Sequence, residues 1–377
     1  MPAIEPYRLA IPESALDDLR ARLRNARWPE RETVGDASQG VQRDGLQSLC
    51  AYWADGYDWR RCEARLNALG QYRTRIDDLD IHFLHVKSPH PDAMPLILTH
   101  GWPGSVIEFL KVIGPLTDPV AHGGDAADAF HVVIPSLPGH GFSGIPEKAG
   151  WGVQRIARCW IALMKRLGYD RFVAQGGDWG SLVTTAIGVI HPPECLAIHL
   201  NMPLAFPNPQ EQADWTREEA ASAAAFDHFM ADGSGYSMLQ RTRPQTVGYG
   251  LVDSPLFQAA WIYEKLTAWV DGDIGAVLTR DEILDNIMLY WLPGTGASAA
   301  RLYWESMLDA ATLGVTSLPA GVTLYPKEVL RPSRRWVERL HRNLIHWSEP
   351  EKGGHFAAFE QPASFVEEIR TCFRMVR

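Results

Sequence analysis

Apolar residues over the first 75 positions have the spacing of amphipathic helices. Leucines recur every three or four positions between residues 12 and 24, and arginine and aspartate fill the opposite face. Two further stretches of this kind span residues 44–53 and 59–69. We predict a helical N-terminal meander over residues 1–75 that lies across the body of the protein. A solvated helical extension with no role in a site is the alternative.

The pattern then changes to short apolar runs, bounded by glycine and proline, that alternate with helix-length segments. The predicted strands include residues 95–99, 130–135, 171–176 and 197–202, and the predicted helices cover 106–113, 151–167 and 182–190. Strands that alternate with helices predict a mostly parallel sheet flanked by helices, joined by right-handed crossovers. Ligands of such sheets bind at the carboxyl ends of the strands.

Residues 207–313 interrupt this alternation. The stretch is largely helical and irregular in pattern, and it is rich in tyrosine and tryptophan. Strands and helices alternate again further on, with predicted strands over 321–325 and 344–347 and predicted helices over 333–342 and 365–373. We therefore predict an inserted helical cap over 207–313, between a first core segment, 76–206, and a second, 314–377.

Composition restricts the kind of protein. The 377 residues carry a net charge of −9, which makes a nucleic-acid partner unfavourable. Five scattered cysteines show no CxxC spacing, so neither disulfides nor a zinc site is predicted and buried reduced thiols fit best. The first residues lack the pattern of a signal peptide, and no apolar run approaches about 20 residues. We expect a cytoplasmic protein without a membrane anchor.

The motif that organises the chain is Gly176-Gly-Asp-Trp-Gly-Ser181, which stands between a predicted strand and a predicted helix. This is the pattern of a nucleophile elbow, with Asp178 where a lipase carries serine. The turn is so tight that side chains at Gly176 and Gly180 would collide with the backbone. An aspartate that caps a helix between glycines is the alternative interpretation.

Two later residues complete the chain order nucleophile, acid, histidine. Glu328 follows the strand over 321–325, and His355 lies in a glycine-containing loop after the last strand. A histidine in that loop can reach the elbow, and a carboxylate can orient its ring. Glu305 and Asp309 are alternative acids, and a structural loop histidine is the alternative for His355.

A loop ahead of the elbow, His100-Gly-Trp-Pro103, directly follows a predicted strand. Such a loop supplies one backbone N–H of an oxyanion hole, and the residue after the nucleophile supplies the other. The sequence thus predicts that the amides of Trp102 and Trp179 stabilise a negative oxygen. A tight glycine–proline turn is the simpler interpretation, and the two are compatible.

Taken together, these motifs resemble the epoxide hydrolases of the α/β-hydrolase fold, most closely the microsomal type that includes insect juvenile hormone epoxide hydrolases. The resemblance covers nearly the whole chain. The segments that carry it include Arg27-Trp-Pro29, His100-Gly-Trp-Pro-Gly-Ser105, Gly176-Gly-Asp-Trp-Gly-Ser181, Asp253-Ser-Pro255, Tyr263-Glu-Lys265 with Trp269, Asn286-Ile-Met-Leu-Tyr-Trp291 and Gly353-Gly-His-Phe-Ala-Ala-Phe-Glu360. Unlike the membrane-bound members, this sequence shows no N-terminal anchor helix.

The resemblance implies roles for individual residues. It places the nucleophile on Asp178, the acid on Glu328 and the base on His355. It also selects Tyr236 and Tyr303 from the tyrosines of the cap, a choice that spacing alone does not allow. The implied partners are a small lipophilic epoxide and water, and we expect Trp102 and Trp179 to bind substrate together with the two tyrosines. No metal or organic cofactor is implied, and a homodimer is left open.

Two other functions fit parts of the pattern. A haloalkane dehalogenase also uses an aspartate elbow followed by tryptophan, although its second halide donor is often an asparagine where this chain has Trp102. A non-catalytic binding protein of the same fold is the third hypothesis, but such proteins commonly lose a member of the triad. All three triad residues are present here.

Overall fold

The computed structural model describes residues 3–311 and 313–377 of the chain. Within these residues, nine strands form a single sheet. In chain order the strands are β1 (Glu5–Pro6), β2 (Gln71–Ile76), β3 (Leu79–Val86), β4 (Met94–Thr99), β5 (Phe130–Pro135), β6 (Phe172–Gly176), β7 (Cys195–Leu200), β8 (Ala320–Thr323) and β9 (Leu344–Ser348).

The sheet has the order β1-β2-β3-β5-β4-β6-β7-β8-β9. The pairs from β1 to β5 along this order are antiparallel, and all pairs from β5 to β9 are parallel. The central strands β4, β5 and β6 are apolar almost throughout, because helices cover both faces of a parallel sheet. The predicted mostly parallel sheet is therefore confirmed, and β6 lies beside its central strand, β4.

Helices cover the sheet and build the region between β7 and β8. They are α1 (Glu13–Arg24), α2 (Arg43–Asp55), α3 (Trp59–Ala68), α4 (Ile113–Thr117), α5 (Val153–Arg166), α6 (Trp179–Ile190), α7 (Arg217–His228), α8 (Gly235–Thr242), α9 (Pro244–Asp253), α10 (Pro255–Trp269), α11 (Ile274–Val277), α12 (Arg280–Trp291), α13 (Gly296–Ala311), α14 (Arg334–Leu340), α15 (Ala357–Glu360) and α16 (Pro362–Arg374). Short 3₁₀ or π turns lie at Ala37–Gln39, Val106–Phe109, Val120–His122, Ala126–Asp128, Pro209–Asp214 and Phe229–Gly233.

The N-terminal helices pack against the helices of residues 207–313 and against each other. Leu16, Leu19 and Leu23 of α1 are buried, as the leucine spacing predicts. On α3, Arg61 forms two hydrogen bonds of 2.7 and 2.8 Å with the buried carboxylate of Asp285 on α12. These contacts hold the leading segment to the helices that stand over the carboxyl ends of the strands.

One predicted element is wrong in its form. The stretch predicted as a helix over residues 106–113 is a 3₁₀ turn, Val106–Phe109, followed after a break by the short helix Ile113–Thr117. Pro115 explains the break, because proline has no N–H to donate and is tolerated only in the first turn of a helix. The second helix therefore begins two residues before Pro115 rather than continuing from the first turn.

The five cysteines, all of which lie in the described residues, are buried and unpaired. The prediction of buried thiols is confirmed. None of the helices in the described part of the chain combines the length and the apolar character that a membrane crossing requires.

Candidate active site

Asp178 occupies a strained turn at the centre of the sheet. It joins β6 to α6, and its backbone has φ 51° and ψ −127°, a conformation that a residue with a side chain seldom adopts. A Cβ on Gly176 would overlap the Gly180 backbone, and one on Gly180 would overlap the carbonyl of Thr99. The glycines are therefore required by close backbone approach, as the motif predicts.

The Asp178 carboxylate does not act as a helix cap. Although Asp178 stands at the N-cap position of α6, its side chain makes no capping hydrogen bond. Instead, Oδ1 accepts a 2.7 Å hydrogen bond from the backbone N–H of Trp102. The described hydrogen bonds include none from the Trp179 amide to this carboxylate. The side chain thus points away from its own helix, towards the residues that face it across the turn.

His355 and Glu328 form a buried pair beside this carboxylate. Nδ1 of His355 lies 2.6 Å from Oε1 of Glu328, and Nε2 lies 3.6 Å from Oδ2 of Asp178. The backbone of Val329 donates a 2.7 Å hydrogen bond to the same Glu328 oxygen, and the backbone N–H of His355 donates to the carbonyl of Trp269. Both ring nitrogens of His355 therefore face a carboxylate, and its backbone is held in place by α10.

This arrangement controls the charge on His355. Burial alone acts to lower the pKa of the imidazole, because a charged ring loses its hydration. Attraction to Glu328, together with hydrogen bonding and attraction to Asp178, outweighs burial and raises the pKa of His355 well above its ordinary value. The two carboxylates that face the ring therefore favour its protonated form.

Tyr236 and Tyr303 approach the elbow from two different helices, α8 and α13. Their ring centres are 5.9 Å apart. The Tyr236 ring stacks on Trp102 at 5.1 Å, and the Tyr303 ring meets Trp179 edge-on at 4.7 Å. Burial, with the Asp178 charge as a further cause, raises the pKa of both phenols. Both hydroxyls therefore keep their protons and can donate hydrogen bonds.

A cavity of about 240 Å³ joins these residues. Five predicted site residues line it, namely Asp178, Trp179, Tyr236, Tyr303 and His355. Most of the remaining wall is apolar and comes from Leu182, Met202, Leu204, Phe206, Phe226, Phe229, Met230, Met238, Trp269, Val329 and Leu330. Trp102 and Glu328 lie just outside this wall, where they contact Asp178 and His355. An apolar cavity with a few converging polar groups is typical of a site for a small lipophilic molecule.

Two residues of α10 belong to this site without a predicted role. Lys265 is buried, with its ammonium 4.6 Å from the centre of the Tyr236 ring and 2.6 Å from a carboxylate oxygen of Glu264. Trp269 packs against both Tyr236 and His355, at 5.4 and 4.9 Å between ring centres. The two residues are four apart on one helix, so they share a face. That spacing is the signal from which their common location could have been predicted.

The chain matches two known family models and is similar in sequence to known proteins. Residues 4–109 match the family described as epoxide hydrolase N terminus, and residues 94–233 match the alpha/beta hydrolase fold. The chain is 56% identical over 376 residues to a protein of Stigmatella aurantiaca, covering 99% of this chain and 86% of that protein. It is 34% identical to epoxide hydrolase 1 of Sus scrofa, covering 98% of this chain and 88% of that one.

Solved structures agree with the sequence relatives. Juvenile hormone epoxide hydrolase of Bombyx mori matches with a TM-score of 0.92 at 30% identity, covering 100% of this chain and 95% of that chain. The chain belongs to the epoxide hydrolase family. The epoxide hydrolase of Aspergillus niger is also similar, with a TM-score of 0.88 at 33% identity over 100% of this chain and 97% of that chain. The α/β-hydrolase fold that the resemblance implied is thereby confirmed.

Proposed function

We propose that this member of the epoxide hydrolase family converts a lipophilic epoxide and water into a vicinal diol. The observation that carries the proposal is the convergence on one apolar cavity of a carboxylate on a strained turn, a carboxylate-bound histidine and two phenols. A carboxylate nucleophile suits substitution at an sp³ carbon, because the ester that results can be hydrolysed. A serine at the same position would give an ether, which water cannot cleave under these conditions.

In the first step Asp178 attacks a ring carbon of the epoxide. The new C–O bond makes an alkyl ester, and the C–O bond of the ring breaks towards the epoxide oxygen. Tyr236 and Tyr303 donate hydrogen bonds to that oxygen and supply the proton it requires as it becomes an alkoxide. Their raised pKa values keep the phenols protonated for this task.

In the second step water attacks the ester carbonyl, which belongs to Asp178 itself. His355, oriented by Glu328, accepts the proton of the water. The N–H of Trp102 already points at a carboxylate oxygen of Asp178, so it is placed to stabilise the oxyanion that forms there. We propose that the Trp179 amide is the second donor. The tetrahedral intermediate then expels the diol, whose leaving oxygen takes the proton from His355. The second proton of the water returns to the phenol, which leaves Asp178 as a carboxylate.

We extend the proposal to the organisation and location of the chain. The division into a meander (1–75), two core segments (76–206 and 314–377) and a cap (207–313) accounts for a sheet that stops at β7 and resumes at β8. The five buried thiols are consistent with a reducing, cytoplasmic location.

The function is tested with two substrates offered separately, styrene oxide and a bromoalkane. The wild-type protein is expected to release diol from the first and no bromide from the second, and Asp178→Ala is expected to release neither product. Bromide without diol would instead assign the site to a haloalkane dehalogenase. If a panel of epoxides of different sizes also gave no diol, the proposal would be wrong and a binding protein would be the better account.

A further inference from the structure

A second, smaller cavity borders the same nucleophile and base. Its volume is about 20 Å³, and its lining includes Asp178, His355 and the side chain of Glu108. Holding one water molecule requires roughly 10–15 Å³ of such volume and two to four polar partners. The cavity is therefore the right size for a single water, and it lies where that water would contact both catalytic residues.

Two unpartnered polar atoms mark this cavity as a polar binding site. Thr99 and Gln175 both line it, and each side chain is 1% exposed. In the described part of the chain, Oγ1 of Thr99 and Oε1 of Gln175 have no hydrogen-bond partner. Buried polar atoms are nearly always satisfied by protein or by ordered water. These atoms therefore point to a small hydrogen-bonding ligand in the cavity.

Two titratable residues of this cavity, His100 and Glu108, have no role in the two-step hydrolysis. Both ring nitrogens of His100 are already engaged, one with the Gly101 carbonyl and the other with the Leu137 N–H, which leaves Glu108. Glu108 lies in the 3₁₀ turn that follows the Trp102 loop, and its carboxyl folds back over Gly104, where any side chain would overlap it. Burial, with the charges of Asp178 and Glu360, outweighs the opposing effects of His355 and the Ser105 backbone and raises the pKa of Glu108 to about 8. At pH 7 the carboxyl is therefore mostly neutral, so it can both donate and accept a hydrogen bond.

We propose that this cavity holds the hydrolytic water and that Glu108 positions it between the ester carbon of Asp178 and Nε2 of His355. The inference rests on the proposed two-step hydrolysis. The epoxide occupies the larger apolar cavity, so the water has a separate polar site beside the same carboxylate. Water can then remain bound while the ester forms, without competing with a lipophilic substrate for space.

The step that Glu108 serves is the hydrolysis of the ester. The water oxygen forms a bond to Cγ of Asp178, and its proton passes to Nε2 of His355. The bond from Cγ to the alkyl oxygen then breaks, and that oxygen takes the proton from His355 as the diol leaves. The second proton of the water passes from the new carboxyl group to the phenol that protonated the epoxide oxygen, which restores the Asp178 carboxylate. Glu108 keeps its own proton throughout, so it is a positioning residue and not the base.

The test compares Glu108→Met, which keeps the size of the side chain and removes its polar end, with Glu108→Gln, which keeps a donor and an acceptor. With styrene oxide at pH 7, we expect the methionine variant to lose about tenfold to a hundredfold in kcat, the usual effect of a misplaced reactant. Ester formation precedes the affected step, so KM should fall with kcat and kcat/KM should stay near the wild-type value. The ester should accumulate, visible by mass, and the glutamine variant should keep most of the rate.

Three results would overturn the inference: an unchanged kcat in Glu108→Met, an equal loss of kcat and kcat/KM, or a glutamine variant as slow as the methionine variant. His355→Gln separates this failure from that of the function. An ester that accumulates in His355→Gln but not in Glu108→Met contradicts only the role of Glu108. No ester in His355→Gln contradicts the two-step hydrolysis itself.

A crystal structure of the wild-type protein tests the same inference without relying on a variant that folds. We expect an ordered water in the small cavity, within about 3.2 Å of a Glu108 carboxyl oxygen and of Nε2 of His355. A dry cavity, or a water held only by Thr99 and Gln175, would overturn the assignment.

Discussion

At the residue scale, Asp178 has two effects. It is the proposed nucleophile, and it also helps to raise the pKa of His355. The imidazole has a raised pKa partly because the Asp178 carboxylate faces it at 3.6 Å. Alkylation turns that carboxylate into a neutral ester and removes the attraction. The pKa of His355 must then fall, which favours the neutral ring that serves as the base once the ester has formed. The first step thereby prepares the second.

Glu328→Gln tests how strongly the Glu328 carboxylate raises the pKa of His355 and orients its ring. We expect kcat to fall by about a hundredfold, because the ring loses its orientation and its charged partner. The base must be neutral to act, so kcat rises with pH through the pKa of His355. Glu328 raises that pKa, so its loss should shift the rising limb to lower pH. A pH–rate profile that keeps its midpoint would contradict this account of the pair.

Gly180→Ala tests whether the elbow depends on close backbone approach. The added methyl group would overlap the carbonyl of Thr99, so we expect a loss of about 3 kcal/mol or more in the free energy of unfolding, together with loss of diol formation. Gly45→Ala is the matched control, because a methyl group there meets nothing within 4 Å. Gly45 lies in helix α2, where alanine should stabilise by about 0.5–1 kcal/mol. Thermal or urea unfolding measures both, and equal effects would contradict the argument.

The residues that the sequence could identify are those in contiguous motifs. Asp178, His355 and the Trp102 loop follow strands at recognisable positions, so their spacing alone indicates a common site. Glu108 could not be found in this way, since its importance comes from a cavity that it shares with residues from distant parts of the chain. The two tyrosines required the resemblance to a family, because packing explains most tyrosines equally well.

At the element scale, the N-terminal helices and the cap helices are joined by a buried polar contact. Tyr57 donates a 2.7 Å hydrogen bond to Oδ1 of Asp285, which also accepts from Arg61. A buried carboxylate that loses a donor keeps its desolvation cost without full compensation. The contact joins helix α12 to a leading segment that contributes no residue to the cavity beside Asp178.

Tyr57→Phe is expected to lower the free energy of unfolding by about 1–3 kcal/mol, because it leaves Asp285 short of one donor. Tyr249→Phe is the control, since Tyr249 is 71% exposed and should have almost no effect. Both variants are compared by urea denaturation. An equal change in the free energy of unfolding in the two variants would show that the hydrogen bond from Tyr57 to Asp285 adds no stability.

The elements themselves were largely predictable, because their hydrophobic periods are strong. The leucines of α1 and the apolar strands β4, β5 and β6 fall where the pattern places them. The prediction of one helix over residues 106–113 was wrong because Pro115 breaks the helix locally. The spacing of apolar residues does not show such a break. The positions of the helices of residues 207–313 relative to the Asp178 turn depend on tertiary packing. The spacing of apolar residues along the chain does not predict them.

At the scale of the whole molecule, the substrate cavity is separated from a larger groove by a thin apolar wall. The groove has a volume of about 890 Å³ and shares five residues with the substrate cavity. These residues are Leu204, Phe206, Phe226, Val329 and Leu330. We expect these shared side chains to limit the size of epoxide that fits beside Asp178, so a smaller side chain among them should admit a longer substrate.

Phe226→Ala is expected to shift the preference of the enzyme towards longer epoxides. We expect kcat/KM for a long-chain terminal epoxide to rise by about tenfold relative to styrene oxide, since an extended pocket gains apolar contact only with the longer molecule. Competition between the two epoxides measures the ratio directly. Met375→Ala, a change at an exposed residue of the C-terminus, is the control and should leave the ratio unaltered. An unchanged ratio in Phe226→Ala would mean that this wall does not limit substrate length.

The covalent ester is tested most directly by the intact mass of His355→Gln after incubation with styrene oxide. We expect a mass increase equal to that of the epoxide, located by peptide mapping on Asp178, and no increase in the double variant Asp178→Ala/His355→Gln. An active wild-type enzyme whose His355→Gln variant carries no adduct would contradict the covalent ester, and with it the roles proposed here for Asp178 and His355.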